Sequence, residues 1–309
     1  MTSSREDPTV LDQTFTYSSA SHSFSIAHTT LGSPSSPPLI FIHGTPWTSA
    51  VWRPLAIALS HQFHVHLADN PGFGASPIEQ PLQGTTPSFA TKVEEYDSDL
   101  ARQTEVWAAL FNEWKKGWKE GAKPHVVAHD HAGLMSLRAH FLHGCQYASL
   151  CLIDVVAIGP FGKPLFKAVA DSPDTFTAMP DMALEGVLES YIRNAAFYEL
   201  PKETMKMLKA PWLRDGGKAG FIRQLCQAAH RNTDAVEGRY SEVGKALPVK
   251  IIWGAQDDWI GEETAWRLGK ALGAKEVSII QDAGHLIMYD QPAQLAVELT
   301  RWLCTPFSD

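Results

Sequence analysis

The segment HVVAHDHAG, residues 125–133, decides the fold of this chain. An apolar stretch that predicts a buried strand runs into a sharp turn, and a helical pattern follows. Ala128, Ala132 and Gly133 supply the small side chains that so tight a turn requires. Asp130 occupies the central position, where a strand-to-helix turn presents a nucleophile above a sheet. Because the sequence contains no G-x-S-x-G motif, Asp130 is the predicted nucleophile.

The pattern around this segment predicts a mostly parallel, eight-stranded sheet with helices on both faces. Strands that alternate with helices favour parallel pairing, because each helix returns the chain to start the next strand. The predicted strands are Thr14–Tyr17, Ser23–His28, Leu39–Ile42, Phe63–Ala68, His125–Ala128, Ser149–Val155, Val249–Trp253 and Glu276–Gln281. The predicted helices of the sheet layers are Ser49–Ser60, Val93–Trp118, His131–His143, Glu262–Leu272 and Ala293–Leu303.

The block of residues 159–247 interrupts this alternation. It is rich in helix-forming residues and prolines, and it shows no clear strand pattern. We therefore interpret residues 159–247 as a helical cap inserted into a core domain of residues 1–158 and 248–309. An insertion at the carboxyl edge of a parallel sheet covers the place where ligands bind in such folds.

Two loops that follow the last two predicted strands carry further chemistry. WGAQDD, residues 253–258, contains Asp257, and DAGH, residues 282–285, ends in His285. The chain order is nucleophile, acid and base, as in enzymes that place a nucleophile on such a turn. A lone aspartate in a turn is usually a helix cap or a turn former. Catalysis is favoured here because three loops together supply a nucleophile, an acid and a base in the expected order.

These motifs resemble those of the α/β-hydrolase superfamily over nearly the whole chain. The likeness is greatest to haloalkane dehalogenases and the related epoxide hydrolases, which use an aspartate nucleophile. It is carried by HGTPWTSAVWR at residues 43–53, by the His129-Asp130 pair, and by D-x-PGFG-x-S at residues 69–76. The resemblance implies an α/β-hydrolase fold with a helical cap.

The resemblance also implies a two-step reaction. The Asp130 carboxylate would attack an sp³ carbon to give an alkyl-enzyme ester, and His285, oriented by an acid, would activate water to hydrolyse it. Backbone N–H groups of Thr45 and His131 would stabilise the oxyanion. Asp257 is the expected acid, and Asp154 is the alternative, because some dehalogenases place their acid after that strand.

Departures from the dehalogenase pattern concern the departing halide. Dehalogenases bind it with an asparagine after His-Gly and a tryptophan after the nucleophile, or with two tryptophans. Thr45 and His131 occupy those positions here, and Trp47 and Trp212 are the substitutes that sequence analogy offers.

Epoxide hydrolases instead protonate the opening ring with cap tyrosines, for which the insertion offers Tyr191, Tyr198 and Tyr240. A haloalkane dehalogenase-like hydrolase is therefore the leading interpretation, with an epoxide hydrolase as the alternative. Cleavage of an ester, a lactone or a C–C bond, with Asp130 as a base, also stays open. So does a non-catalytic ligand-binding homologue.

Composition limits the partners. Hydrophobic residues make up 44% of the 309 residues, which is enough for a sizeable core, and the net charge of -8 disfavours nucleic acid and anionic membranes. No nucleotide-binding glycine motif or metal-ligand spacing occurs, so neither a cofactor nor a metal is expected. With no signal peptide or spanning segment visible, and four cysteines expected to be reduced, we expect a cytoplasmic monomer or homodimer acting on a small molecule.

Overall fold

Nine strands form one sheet in the computed structural model, which describes residues 7–82, 99–159, 164–227 and 231–306. Eight strands follow the order β1-β2-β4-β3-β6-β7-β8-β9, and the two-residue β5 pairs with β2. Strands from β4 to β9 along this order pair in parallel, and β2 is antiparallel to β1, β4 and β5. The strands are β1 Gln13–Ser18, β2 His22–Leu31, β3 Pro38–Ile42, β4 His64–Ala68, β5 Gln80–Pro81, β6 His125–His129, β7 Ser149–Ile153, β8 Val249–Gly254 and β9 Glu276–Ile280.

Helices of the core domain cover both faces of this sheet. They are α1 Arg53–Leu59, α2 Leu100–Lys115, α3 Ala132–His143, α10 Tyr240–Ala246, α11 Glu263–Leu272, α12 Ile287–Asp290 and α13 Pro292–Leu303. Alternate side chains of a buried strand join opposite cores, so that Leu39 and Phe41 pack with one set of residues while Ile40 and Ile42 pack with the other. The predicted α/β-hydrolase fold is confirmed in its sheet, its order of elements and its covering helices.

Six further helices lie between β7 and β8. They are α4 Pro164–Asp171, α5 Pro173–Ala178, α6 Asp181–Arg193, α7 Lys202–Leu213, α8 Gly217–Gln227 and α9 Arg231–Asp234. We call α4–α9 the cap. The helix that follows, α10, lies within the block of residues 159–247 that the sequence predicts as the cap, but it packs against α11, so we describe it with the core domain.

Several polar contacts, buried or half-buried, fasten the cap to the core domain. Arg223 of the cap forms an ion pair with Glu79, and both side chains are fully buried. Trp212 Nε1 donates to the carbonyl of Pro46 at 2.8 Å. Asp290 of the core domain accepts the N–H groups of Phe197, Tyr198 and Gly284 at 2.8 to 2.9 Å. The cap is therefore connected to the loop of His285 as well as to the loops after β3 and β4.

Several predicted boundaries shift for local reasons. The predicted helix Ser49–Ser60 is a 3₁₀ turn, Ser49–Trp52, followed by α1, with Pro54 in its first turn. The strand predicted to reach Val155 ends at Ile153, because Asp154 adopts a positive φ of 43°. The long helix predicted from Val93 begins at Leu100 in the described part of the chain, and residues 93–98 lie outside it.

The four cysteines differ in their exposure. Cys145 and Cys151 are buried, Cys226 is half-buried, and Cys304, which follows the last turn of α13, is exposed. None of the four is in a disulfide. Within the described ranges, no helix combines the length and apolarity that crossing a bilayer would require.

Candidate active site

The turn after β6 holds Asp130 in a left-handed backbone conformation, with φ of 56°. Neighbouring glycines make room for it. A Cβ atom on Gly44 would lie 2.3 Å from the Asp130 Cβ, and one on Gly133 would lie 2.4 Å from Val155. Both glycines are therefore required because neighbouring side chains approach their backbone closely. The requirement at Gly44 cannot be read from the sequence, because Asp130 is 86 positions away.

The two oxygens of the Asp130 carboxylate have different surroundings. Oδ2 accepts the backbone N–H of Thr45 at 2.6 Å and lies 3.6 Å from His131 Nδ1. Oδ1 lies 3.9 Å from His285 Nε2. One oxygen is thus held by the loop after β3, and the other faces the imidazole.

His285 and Asp257 form the pair that the sequence predicts. His285 Nδ1 lies 2.9 Å from Asp257 Oδ2, and both side chains are fully buried. The other Asp257 oxygen accepts the N–H groups of Trp259 and Ile260 at 2.7 and 3.0 Å. Since the Asp257 carboxylate accepts the proton on Nδ1, His285 presents an unprotonated Nε2 towards Asp130.

Asp154, the alternative acid, makes a different contact. Its Oδ1 accepts the N–H of Gly254 at 2.8 Å, and its Oδ2 has no hydrogen-bond partner among the described residues. Burial, reinforced by the nearby carboxylate of Asp257, raises the pKa of Asp154 well above its ordinary 3.8. The structure therefore brings Asp257, and not Asp154, into contact with the imidazole.

The pKa of Asp130 reflects opposing effects. Burial alone would raise this pKa, but the contact with His131 and the proximity of His285 outweigh burial, and the net effect lowers the pKa below 3.8. Asp130 is consequently an anion at neutral pH, the form that a carboxylate nucleophile requires.

Two buried histidines, His43 and His129, form hydrogen bonds with backbone groups of the loops around the site. His43 Nδ1 donates to the carbonyl of Gly44, and its Nε2 accepts the N–H of Asn70, both at 2.9 Å. His129 Nε2 donates to the carbonyl of His285 at 2.8 Å. Burial lowers the pKa of His43 to about 4 and that of His129 to about 3, so both stay neutral. Their role is to position backbone, which the His-Gly and His-Asp motifs did not reveal.

Some of the predicted leaving-group donors already have a hydrogen-bond partner, and others have none among the described residues. Thr45 Oγ1 is paired with His131 Nδ1 at 2.8 Å, and the Trp212 N–H is engaged by Pro46. The one donor of the Trp212 indole is therefore already used by a backbone carbonyl in this structure. The Nε1 of Trp47 and the Nε2 of His131 are buried without a hydrogen-bond partner in the described part of the chain.

Of the three predicted cap tyrosines, one lies at the site. Tyr191 is buried close enough to Asp130 for the carboxylate to add to the effect of burial on its pKa, which is raised well above 10.0. Its hydroxyl has no hydrogen-bond partner among the residues described. Tyr198 is 51% exposed, and Tyr240 donates to the carbonyl of Ala157 in the core domain. Of the three candidates for the ring-opening acid, Tyr198 therefore lies at the surface, and the Tyr240 hydroxyl is already engaged by a backbone carbonyl.

Seven ring-bearing side chains form a continuous series of ring-to-ring contacts, and the two ends of the series flank Asp130. Successive ring centroids are 4.2 to 6.4 Å apart, and the two ends are the histidines on either side of the carboxylate. We call this set the aromatic wall; in order it comprises His131, Phe73, Trp212, Phe221, Tyr191, Trp259 and His285. A molecule beside Asp130 would therefore face apolar rings, which favours an uncharged substrate.

A metal site is not formed by the described residues. No group of three or more histidine, cysteine, aspartate or glutamate side chains among them is arranged to bind an ion. His64 and His66, which the sequence places two residues apart, have ring centroids 4.4 Å apart, and His66 accepts the Trp118 indole N–H at 3.0 Å.

Comparison with known proteins supports the geometry. A family model described as the alpha/beta hydrolase family matches residues 39–299. The chain belongs to the alpha/beta hydrolase family. Within the solved α/β-hydrolase structures, it is similar to an alpha/beta hydrolase fold protein from Burkholderia ambifaria. That similarity has 33% identity and a TM-score of 0.81, and covers 94% of this chain and 97% of the other.

More distant similarities reach α/β-hydrolases with described activities. A candidate epoxide hydrolase from Pseudomonas aeruginosa has a TM-score of 0.65 at 18% identity, covering 95% of this chain and 96% of that one. This level of identity supports the fold alone. A pimeloyl-[acyl-carrier protein] methyl ester esterase from Aeromonas hydrophila is 39% identical over 57 residues, or 18% of this chain. The match spans only 22% of the esterase's own length.

Proposed function

We propose that this α/β-hydrolase uses Asp130 to form an alkyl-enzyme ester on a small, uncharged substrate, and that His285 activates the water that hydrolyses it. The observation that carries the proposal is the unequal setting of the two Asp130 oxygens. Oδ2 is held by the Thr45 N–H, while Oδ1 faces His285. The first oxygen fits an oxyanion position and the second an attacking atom.

The proposed reaction has two steps, formation of the ester and its hydrolysis. Oδ1 attacks the substrate carbon and the carbon–leaving-group bond breaks, which gives the ester and a departing anion. Water then gives a proton to His285 Nε2 and adds to the Asp130 carboxyl carbon, and negative charge develops on Oδ2 beside the Thr45 N–H. When the intermediate collapses, the bond between the Asp130 carboxyl carbon and Oδ1 breaks, and the His285 imidazolium, which Asp257 stabilises, gives its proton to Oδ1 as the alcohol leaves.

A carboxylate at the nucleophile position argues against ordinary ester cleavage. Attack of Asp130 on an ester carbonyl would give an anhydride, which is less stable than the ester that was cleaved. Attack on an sp³ carbon gives an ester, which water can then remove. The esterase activity named for the Aeromonas protein is therefore not the reaction we propose here.

Epoxides are the substrate class that Tyr191 favours. Ring opening at one carbon leaves an alkoxide that needs a proton, and the Tyr191 hydroxyl is a buried donor close to Asp130 with no hydrogen-bond partner among the described residues. A haloalkane is the second class, because the Trp47 N–H is likewise buried and without a partner in the described ranges. A halide needs donors but no proton, and one indole is fewer than the two expected.

The test is the intact mass of His285→Gln after incubation with a panel of terminal epoxides and bromoalkanes. Without the base, the ester should form and persist. A gain equal to the whole epoxide indicates ring opening, and a gain equal to the alkyl group without bromine indicates halide displacement. Asp130→Asn combined with His285→Gln is the matched control and should gain nothing. No adduct from any panel member in the folded variant would contradict the proposal.

A further inference from the structure

We infer that Trp259 is a positioning residue for the hydrolysis of the ester, a role that rests on the function proposed above. Trp259 lies on the loop after β8 and belongs to the aromatic wall. Its indole stacks on the His285 imidazole, with ring centroids 4.8 Å apart and an interplanar angle of 28°.

Trp259 also contacts the acid that orients His285. Its backbone N–H donates to Asp257 Oδ1 at 2.7 Å, while Asp257 Oδ2 binds the imidazole. The same residue thus supports the carboxylate through its main chain and the imidazole through its side chain. A shift of the indole would disturb the plane in which His285 must lie to reach water.

The cap completes the setting of the indole. Tyr191 stacks on Trp259 with centroids 4.2 Å apart at 29°, and Trp259 Nε1 donates to Asn194 Oδ1 at 3.1 Å. Both partners belong to the end of α6. The cap therefore contacts the indole through a ring stack and one hydrogen bond, and the stack is the contact that we expect to hold the indole against the base.

The effect should be confined to the second step. His285 is neutral while the ester forms, and it becomes an imidazolium only when it takes the proton of the attacking water. An aromatic face against an imidazolium is attractive, because the π electrons favour a cation. Loss of the indole should consequently slow hydrolysis on the order of 10-fold more than it slows ester formation.

The experiment follows formation and decay of the ester by quenched-flow intact mass, using whichever panel compound labels His285→Gln. Trp259→Leu should hydrolyse the ester about 10-fold more slowly and accumulate it in the steady state. Trp259→Phe, which keeps an aromatic face, should recover most of the hydrolysis rate that Trp259→Leu loses. Asn194→Ala, which removes only the hydrogen bond to the cap, should stay near the wild-type rate. Trp259→Met replaces Trp259→Leu if the latter does not fold.

Three results would overturn the inference: hydrolysis by Trp259→Leu at the wild-type rate, equal slowing in Trp259→Phe, or equal slowing of both steps. These leave the proposed function standing as long as His285→Gln is labelled. Failure of His285→Gln to take any label would instead remove the proposed function and this inference with it.

Discussion

The Nε2 atom of His285 lies 3.9 Å from Oδ1 of Asp130, while Oδ2 of the same carboxylate is fixed by the Thr45 N–H at 2.6 Å. The separation is too long for a hydrogen bond. An imidazole so placed faces the oxygen that would carry an alkyl group, and the anchored oxygen is the one on which charge would develop.

Water should therefore enter the Asp130 carboxylate and not the substrate carbon. In a single turnover in H₂¹⁸O, we expect ¹⁸O in the peptide containing Asp130 and unlabelled oxygen in the alcohol. Mass spectrometry of both products measures this. Label found in the alcohol after the first turnover would mean direct attack by water, with Asp130 serving as a base.

Ester formation should persist at low pH. Because the lowered pKa of Asp130 keeps it ionised, the rate should hold from neutral pH down to a lower pH than an ordinary aspartate would allow. His131→Leu removes one of the contacts that lower this pKa, so the acidic limb should move to higher pH. His61→Leu alters an exposed histidine and is the control. An unmoved limb in His131→Leu would contradict the assignment.

Asp257 and Asp154 should differ in their effects on turnover. Asp257→Asn removes the acceptor for His285 and should cost about 10²-fold or more in ester hydrolysis. Asp154→Asn keeps an oxygen for the Gly254 N–H, so its rate should remain within about 10-fold of wild type. The opposite ranking would identify Asp154 as the acid.

Asp154 should also make stability depend on pH. Its raised pKa means that the folded chain keeps a proton that the unfolded chain has lost, so this stabilisation is complete below about pH 4 and declines as pH rises. Asp154→Asn cannot ionise. Its melting temperature relative to wild type should therefore increase between acidic and mildly alkaline pH, as measured by calorimetry. A constant difference would contradict a protonated Asp154.

Tyr191 should matter for epoxides and much less for haloalkanes. Tyr191→Phe removes the proton donor and keeps the ring in the aromatic wall, so epoxide ring opening should fall by about 10²-fold. Tyr198→Phe changes an exposed tyrosine of the same region and should have no effect. The kcat/KM of each variant on both substrate classes gives the measurement. Equal losses on both classes would indicate a packing role.

The Arg223–Glu79 ion pair should dominate the attachment of the cap. Arg223→Met removes the buried cation that faces the Glu79 carboxylate, and loss of one member of a buried ion pair typically destabilises a protein by about 3 kcal/mol or more. Lys167→Met breaks an ion pair at the surface of α4 and should leave the unfolding midpoint unchanged. Denaturant unfolding compares the two variants. A small effect for Arg223→Met would mean that water reaches this pair.

Sequence reasoning predicted most of the sheet because strands and helices differ in the period of their apolar residues. It also predicted the pairing of Asp257 with His285, since both loops end neighbouring parallel strands. It could not separate Tyr191 from Tyr240, because both are tyrosines in helical segments and only packing decides which hydroxyl finds a carbonyl. Trp259 was missed for a similar reason: a stacking contact with His285, 26 positions away, leaves no periodic signal.

The carboxylate of Asp290 binds amides in the segment between α6 and α7 and in the His285 loop, and Arg223 is matched by Glu79 in a different loop. Protein engineers who treat the cap as an exchangeable cassette would therefore separate partners that lie on opposite sides of the splice. A working chimera has to carry Glu79 and Asp290, or compatible replacements, together with the transplanted helices. The residues that must be transferred together are therefore scattered along the sequence and do not form one contiguous segment.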